Sequence, residues 1–444
     1  METICAISTP YGVGGIAVIR VSGERAIEIV DTLFTGRLPL KDTPGGRVRF
    51  GQIVRDGEVL DEVLCCVFRA PNSFTGEETV EVSCHGSVFI QQTLVEWLID
   101  AGCSMAKPGE FTQRAFANGK MDLAQAEAVA DLIAAQSRAE KDLALSQLRG
   151  SVSSELGILR DRLLQLTLLI ELELDFADHE ELEFADRSKL TELSDEIESK
   201  LAELLATFRT GNAIRHGVPV AIVGAPNVGK STLLNALLGE QRAIVSDIQG
   251  TTRDTIEDTL VLDGILFRLI DTAGLRDTTD TLENMGIERS RKAARNAQII
   301  ISVVDRDNPE VILDQSAGQT EIKVLNKCDL VEDGVSLQGE TNGSRLSISA
   351  KLGEIVPLKR ELVRVARESM HTSAVMLSNA RHYEAINRAH EAIQRVQNGL
   401  REGLSGELLS LDLQDCINAL GEVTGQITNA EVLANIFSKF CIGK

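Results

Sequence analysis

At 444 residues, with 43% hydrophobic and 25% charged side chains, the chain has the balance of a folded protein and room for about three domains. No apolar run reaches the ~18–20 residues of a membrane span, METICAISTPYGVGG lacks the basic start and apolar core of a secretory signal, and eight cysteines without a CxxC pair give neither a disulfide framework nor a zinc site, so a reduced, cytoplasmic protein without membrane association is expected. Lys and Arg number 45 against 66 Asp and Glu, a net charge of −21 with a pI near 4.8, which excludes general adhesion to nucleic acid and leaves any RNA role to a local basic patch or a basic partner.

Residues 1–118 read as short strands broken by turns, as in IAVIRVSG, GQIVRDG and EVLCCVFRAP, with breaks at Pro71-Asn72-Ser73 and Thr75-Gly76. VFIQQTLVEWLIDAG is a helix that Gly102 ends, so this part is α+β. From Asp122 to about Phe176 the spacing of Leu123, Ala126, Ala130 and Ile133 predicts long amphipathic helix. A further helix covers about Arg187–Arg209, and Gly211 to Gly217 break the pattern. Strand-like runs at 218–223, 265–270, 299–304 and 322–325 alternate with helical stretches, the grammar of an α/β domain with a mainly parallel sheet. After about Thr372 helices resume. The expected organisation is an α+β domain (1–118), a first helical part (119–216), an inserted α/β domain (217–371) and a second helical part (372–444) that packs on the first. The acidic excess is greatest in the two helical parts.

The chemistry begins after VPVAIVG. Gly224-Ala-Pro-Asn227-Val228-Gly229-Lys230-Ser231 fits G-x-x-x-x-G-K-[ST] between that strand and the helical run STLLNALLG, which Ser231 and Thr232 open. Glycines let backbone N–H groups wrap phosphates, and the helix N-terminus adds partial positive charge. Lys230 then meets the β- and γ-phosphates and Ser231 a Mg²⁺ ion. Asp271-Thr272-Ala273-Gly274 follows the strand ILFRLI, where a carboxylate holds Mg²⁺ through water and a glycine senses the γ-phosphate. Asn326-Lys327-Cys328-Asp329 follows IKVL. Asp329 can accept from both N1–H and the 2-amino group of guanine, a donor pair that adenine lacks. At about 1.5–3 kcal/mol for each charge-assisted bond, this favours GTP over ATP by roughly 10²–10⁴-fold. Ser349-Ala350-Lys351 supplies a backbone contact to the guanine oxygen. Four motifs in this order define a GTPase with a Ras-like P-loop domain.

The hydrolytic machinery departs from the Ras pattern. Leu275 stands where a water-orienting Gln is found, and a leucine cannot hydrogen-bond water. Arg253 and Arg276 flank the switch segments as candidates for an internal arginine finger. The side-chain oxygen of Asn227 is a candidate ligand for a monovalent cation beside the phosphates. In Gly250-Thr251-Thr252-Arg253-Asp254, Thr252 is poised to complete the Mg²⁺ shell.

These nucleotide motifs (GxPNVGKS, GTTRD, DTAGLR, NKCD), the terminal Cys441-Ile-Gly-Lys444, and the runs PNSFTGEETVEVSCHG (71–86) and KPGEFTQRAFANGKMDLAQAEAVADLI (107–133) resemble the tRNA modification GTPase MnmE (TrmE) family over the whole chain. The resemblance implies potassium in place of an arginine finger, held by Asn227, Ser246, Ile248 and Thr251. GTP contacts then extend over Ser246, Asp247, Ile248, Gln249, Gly250, Thr251 and Thr252. Glu283, in TLENMGIER, is implied to orient the attacking water. The α+β domain is implied to bind a tetrahydrofolate derivative (5-formyl or 5,10-methylene) through Arg20, Glu81, Lys120 and Lys444, and to pair two chains as a homodimer. Cys441 is implied to be a functional thiol on the terminal tail. The implied partner is MnmG (GidA), bringing FAD and RNA-binding surface in a heterotetramer. The implied reaction modifies C5 of the wobble uridine (U34) of certain tRNAs to 5-carboxymethylaminomethyluridine or an aminomethyl variant. The rival reading is a ribosome-assembly or other switch GTPase without modification chemistry. That reading predicts a basic module after the nucleotide domain, where this chain returns to acidic helix.

Other features read as structural. Gly12-Val13-Gly14-Gly15 leads into a strand rather than a helix, so it is no dinucleotide fingerprint. His85 has no metal cluster to join, and Cys65, Cys66, Cys84, Cys103, Cys328 and Cys416 suit core or loop positions. The acidic run from Glu171 to Glu183 reads as a solvated helix end.

Overall fold

The computed structural model describes residues 2–175, 187–239, 258–270, 293–306, 319–330, 345–369, 375–428, 430–438, 440 and 443. They belong to two compact units, Met1–Ala130 with Gly421–Lys444, and Asp131–Leu420.

In the first unit, strands β1 (Ile4–Ile7), β2 (Ile16–Ser22), β3 (Phe34–Gly36), β4 (Arg47–Arg55), β5 (Glu58–Phe68), β6 (Thr79–His85) and β7 (Ser104–Met105) form one sheet in the order β3-β4-β5-β6-β2-β1-β7. Only β7, beside β1, pairs in parallel. Side chains alternate across the sheet. Ala17, Ile19 and Val21 of β2 face a core shared with Ile29 and Val30 of α1 (Ala26–Leu33) and Leu94 and Leu98 of α2 (Val88–Asp100). Ile4 and Ala6 face the other way, onto Phe111 of α3 (Glu110–Ala117), with Phe74 packed alongside. Phe437 and Phe440 close on Leu123 and Ala126 of α4 (Leu123–Ala134).

The second unit holds α5 (Arg138–Leu148), α6 (Ser151–Asp175) and α7 (Arg187–His216), then β8 (Val218–Val223), α8 (Lys230–Leu238), β9 (Asp258–Leu262), β10 (Ile265–Leu269), β11 (Ile299–Val304), β12 (Thr320–Leu325), β13 (Arg345–Ser347) and α9 (Val356–Ser369), followed by α10 (Ala380–Glu402) and α11 (Gly406–Thr424). Its sheet runs β13-β12-β11-β8-β10-β9, parallel except for the β9–β10 hairpin. Val220 and Ile222 of β8, Ile299, Ile301 and Val303 of β11 and Leu358 and Leu362 of α9 are among its buried core.

Two expectations about helices are corrected. The stretch from Asp122 is three helices rather than one. Ser137 caps α5 by accepting from Glu140 N (3.2 Å), and the Glu140 carboxylate accepts from Gln136 N (2.6 Å), a reciprocal cap that starts a new helix. Gly150, at φ 88°, turns the chain between α5 and α6. Conversely, α7 runs past Arg209 and through Gly211 to His216. A Cβ at Gly211 would lie 2.1 Å from the Leu377 carbonyl oxygen, so this glycine permits close approach inside a continuous helix. The break comes at Gly217, φ 83°.

The helical segments before and after the sheet pack together. Phe208 and Tyr383 stack with centroids 4.4 Å apart, Glu198 meets His390 (2.9 Å), and Asp195 accepts from Gln397 (2.7 Å). Gln147 of α5 donates its amide to Met376 O and to Ser378 Oγ, both at 3.0 Å. Gln147→Ala leaves Met376 O and the buried Ser378 Oγ without that donor and is expected to cost about 1–3 kcal/mol, read as faster amide exchange at 376–378.

Candidate functional site

The strand β8 delivers the chain to a loop whose backbone only particular residues can follow. Gly224 has φ 156°, and a Cβ there would sit 2.3 Å from Val303 O. Gly229 has φ 97°, and its Cβ would sit 2.3 Å from Asn326 Nδ2. Between them Val228 is buried, anchoring the loop, while Asn227 is exposed in a left-handed conformation (φ 63°). Lys230 begins α8 and folds its Nζ back to donate to Gly224 O (2.9 Å) and Ala225 O (2.7 Å). Burial pushes its amine below the usual lysine value, an environment that an incoming anion relieves. Ser231 and Thr232 occupy the first turn of α8, half-buried and exposed respectively. Backbone N–H groups at a helix start, a half-buried amine and a hydroxyl are suited to phosphate and its metal.

The base-reading motifs come to the same edge. Asn326 donates from Nδ2 to Val228 O (2.8 Å) and accepts at Oδ1 from Ala350 N (3.0 Å). One buried carboxamide thus ties the phosphate loop to both 326–329 and 349–351. Ser349 donates from Oγ to Asp329 Oδ1 (2.7 Å) and thereby holds that carboxyl below the usual carboxylate range. Asp329 and Lys351 are exposed at the rim. Sequence reasoning treated Asn326 and Ser349 only as motif letters, and their bracing roles depend on spatial neighbours.

The loop contributors Ser246, Asp247, Ile248, Gln249, Gly250, Thr251, Thr252 and Arg253, the segment Asp271, Thr272, Ala273, Gly274, Leu275 and Arg276, and Glu283, Cys441 and Lys444 lie outside the described residues.

In the first unit, the antiparallel register of β2 and β6 sets Arg20 directly opposite Glu81. Arg20 donates from Nε (3.0 Å) and Nη2 (2.8 Å) to Glu81 Oε1, with side chains 19% and 28% exposed. Its guanidinium lies over the rings of Phe74 (5.3 Å) and Phe111 (5.6 Å), cation–π contacts that fix its plane. Lys120 donates to Pro71 O (2.9 Å), and its stem borders Gly76. Gly443 sits against Ile7 and accepts from Ser8 Oγ (3.1 Å), which brings the end of the chain to the strand whose Ala6 pairs with Arg20. Arg114, missed in the sequence, is buried beneath and bound to Glu77, Glu110 and the Glu2 carbonyl. Its one signal was the density of Glu, Ser and Thr in the run 71–86.

His85 pairs with Asp61 through both Nδ1 and its backbone N (2.7 Å each), a structural role. Burial pushes the thiols of Cys65 and Cys416 up to about 12 and that of Cys84 to about 11, so these are inert at neutral pH. Among the described residues no group of three or more His, Cys, Asp or Glu could hold a metal, and no helix is long and apolar enough to cross a membrane.

A mainly parallel sheet whose first strand opens a glycine-bounded loop and helix, braced to an Asn-Lys-Cys-Asp loop, is the architecture of a P-loop GTPase. Residues 3–120 match the family described as GTP-binding protein TrmE N-terminus, and residues 123–441 match the MnmE helical domain. Over its full length the chain is 52% identical to the tRNA modification GTPase MnmE of Parabacteroides distasonis, covering all of that protein. It is 50% identical to the MnmE of Porphyromonas gingivalis, covering 98% of it, and 48% identical to that of Bacteroides thetaiotaomicron, covering 99%. The chain belongs to the MnmE family of tRNA modification GTPases.

Proposed function

We propose that the chain is a potassium-activated GTP hydrolase that works with MnmG to modify C5 of the wobble uridine of certain tRNAs. The division into 1–118, 119–216, 217–371 and 372–444 is part of this reading. The observation that carries it is the Asn326 brace, which makes the phosphate loop and the guanine-reading loops one site. Lys230 and the first turn of α8 hold the phosphates, Ser231 and Thr252 a Mg²⁺ ion with Asp271 acting through water, and Asp329 with Ser349-Ala350-Lys351 the base. Asn227, exposed in left-handed backbone at the loop, offers a neutral oxygen donor that fits potassium together with Ser246, Ile248 and Thr251. Glu283 orients the attacking water. Arg20, Glu81, Lys120 and Lys444 hold a folate. The Arg20 guanidinium, lying over two aromatic rings and paired with Glu81, fits a planar heterocycle bearing donors and acceptors. When bound, potassium supplies positive charge beside the phosphates, and the folate supplies a one-carbon unit. The first unit pairs two chains, and Cys441 is a functional thiol two residues before Gly443, whose carbonyl accepts from Ser8 Oγ. MnmG supplies the basic surface that a chain of charge −21 needs to engage tRNA.

The test is GTP turnover in KCl against NaCl, where potassium is expected to be faster by about tenfold or more. Asn227→Ala should erase that difference and leave GDP binding near the parent value. Equal rates of the parent in the two salts reject the cation reading, and Arg253 or Arg276 then becomes the better candidate for charge stabilisation.

A further inference from the structure

Strand β11 is buried along its whole length to Val304, and the next residue is Asp305, only 8% exposed. Its Oδ2 lies 2.6 Å from Nζ of Lys327, the second residue of the Asn-Lys-Cys-Asp loop. The carboxylate side chain is 5% exposed and the lysine side chain 37%. A pair sunk to this degree at its acidic end differs from the surface ion pairs elsewhere on this chain, because the carboxylate is desolvated and depends on its partner.

Both ends are held by neighbours. Lys327 has φ 64°, a left-handed conformation disfavoured for any residue with a Cβ. On one side of it Asn326 N donates to Val304 O (2.8 Å), and on the other Cys328 N donates to Ile348 O (3.2 Å). The strand that carries Asp305 also presses on the phosphate loop, since the Val303 carbonyl leaves no room for a Cβ at Gly224. Asp305 therefore stands where strand end, phosphate loop and guanine-reading loop converge.

We propose that Asp305 is a positioning residue for the nucleotide base. By fixing Nζ of Lys327 it stretches the four-carbon stem into a stationary apolar slat beside Asp329, a surface on which a planar purine can lie. It also keeps the loop in its left-handed turn, so that the Asp329 carboxylate is presented at a set angle. Without Asp305 the amine swings to water and takes the stem with it. The inference rests on reading 326–329 as the guanine site.

Titration of the full chain with fluorescent GDP, and steady-state GTP hydrolysis, test it. Asp305→Asn keeps the shape and removes the charge. It is expected to weaken GDP binding and raise KM for GTP by about tenfold each, with kcat at saturation within about twofold of the parent. In a Lys327→Ala background, Asp305→Asn should cause no further loss of GDP affinity, because the slat is already gone. A merely structural carboxylate would lower kcat along with affinity, and its loss would add to that of Lys327. Unchanged affinity in Asp305→Asn, or additive losses in the double variant, overturn the inference while leaving the guanine site standing. A parent chain that fails to bind GDP overturns the site and the inference together.

Discussion

Arg114→Met is expected to lower the stability of the first unit by about 3–5 kcal/mol, read in the full chain as accelerated amide exchange along β2 and β6. The guanidinium is 7% exposed at the side chain and donates to the Glu2 carbonyl (2.8 Å), to Glu77 Oε1 and Oε2 (3.3 and 3.2 Å) and to Glu110 Oε1 (2.9 Å). Glu77 also accepts from Ser22 Oγ (2.8 Å), itself 2.7 Å from the buried Thr75 hydroxyl. Removing the cation leaves the largely buried Glu77 and Glu110 carboxylates without the guanidinium they share, and that penalty outweighs what methionine regains by burial. Arg114→Lys should recover little, because a single ammonium cannot reach a carbonyl and two carboxylates with the angles of a planar fork. Arg25 provides the contrast: its pair with Glu28 is exposed at both ends, and Arg25→Met should leave exchange unchanged. If Arg114→Met exchanges no faster than the parent, the cluster is not what holds α3 and the 71–79 turn to the sheet.

The contrast between what was and was not legible follows the range of the interactions. The phosphate loop was readable because its requirements are local: positive φ at Gly224 and Gly229, and a lysine at the first helical position. The split at Ser137 was also written locally, as a Ser three residues before a Glu, but apolar periodicity outweighed it. Gly211 misled because its purpose is the Leu377 carbonyl, 166 residues further along the chain. Arg20 and Glu81 meet only because β2 and β6 pair in one particular register, and no periodicity specifies a register between distant strands. Arg114 resembled any surface arginine until the segments of Glu2 and Glu77 met over its helix. The guanine motif was legible as letters, whereas the bracing of Asp329 by Ser349 and of Lys327 by Asp305 is a property of three strand ends brought side by side.

That bracing sets the second large effect. Asp329→Asn should weaken GTP and GDP binding by roughly 10²–10⁴-fold, measured with fluorescent nucleotide. The carboxylate can accept from N1–H and from the 2-amino group of guanine at once, whereas an amide of the same shape turns one of those positions into a donor facing a donor. Xanthine carries a carbonyl where guanine has the amino group, so the same variant should gain affinity for xanthosine diphosphate, an outcome that general damage to the loop cannot produce. The pH dependence follows from the Ser349 hydroxyl. Its hydrogen bond favours the ionised carboxylate and lowers the Asp329 pKa, with burial opposing. A depressed acid keeps its binding-competent form above its pKa and loses it as pH falls through that value. GDP affinity of the parent should therefore stay level as pH falls into the ordinary carboxylate range and decline only below it. Ser349→Ala removes the donor, so the decline should begin at higher pH, while affinity at neutral pH falls only by the lost orientation. A parent and a Ser349→Ala variant that decline together would show that Ser349 does not govern the charge of Asp329, and the guanine selectivity would then rest on the carboxylate alone.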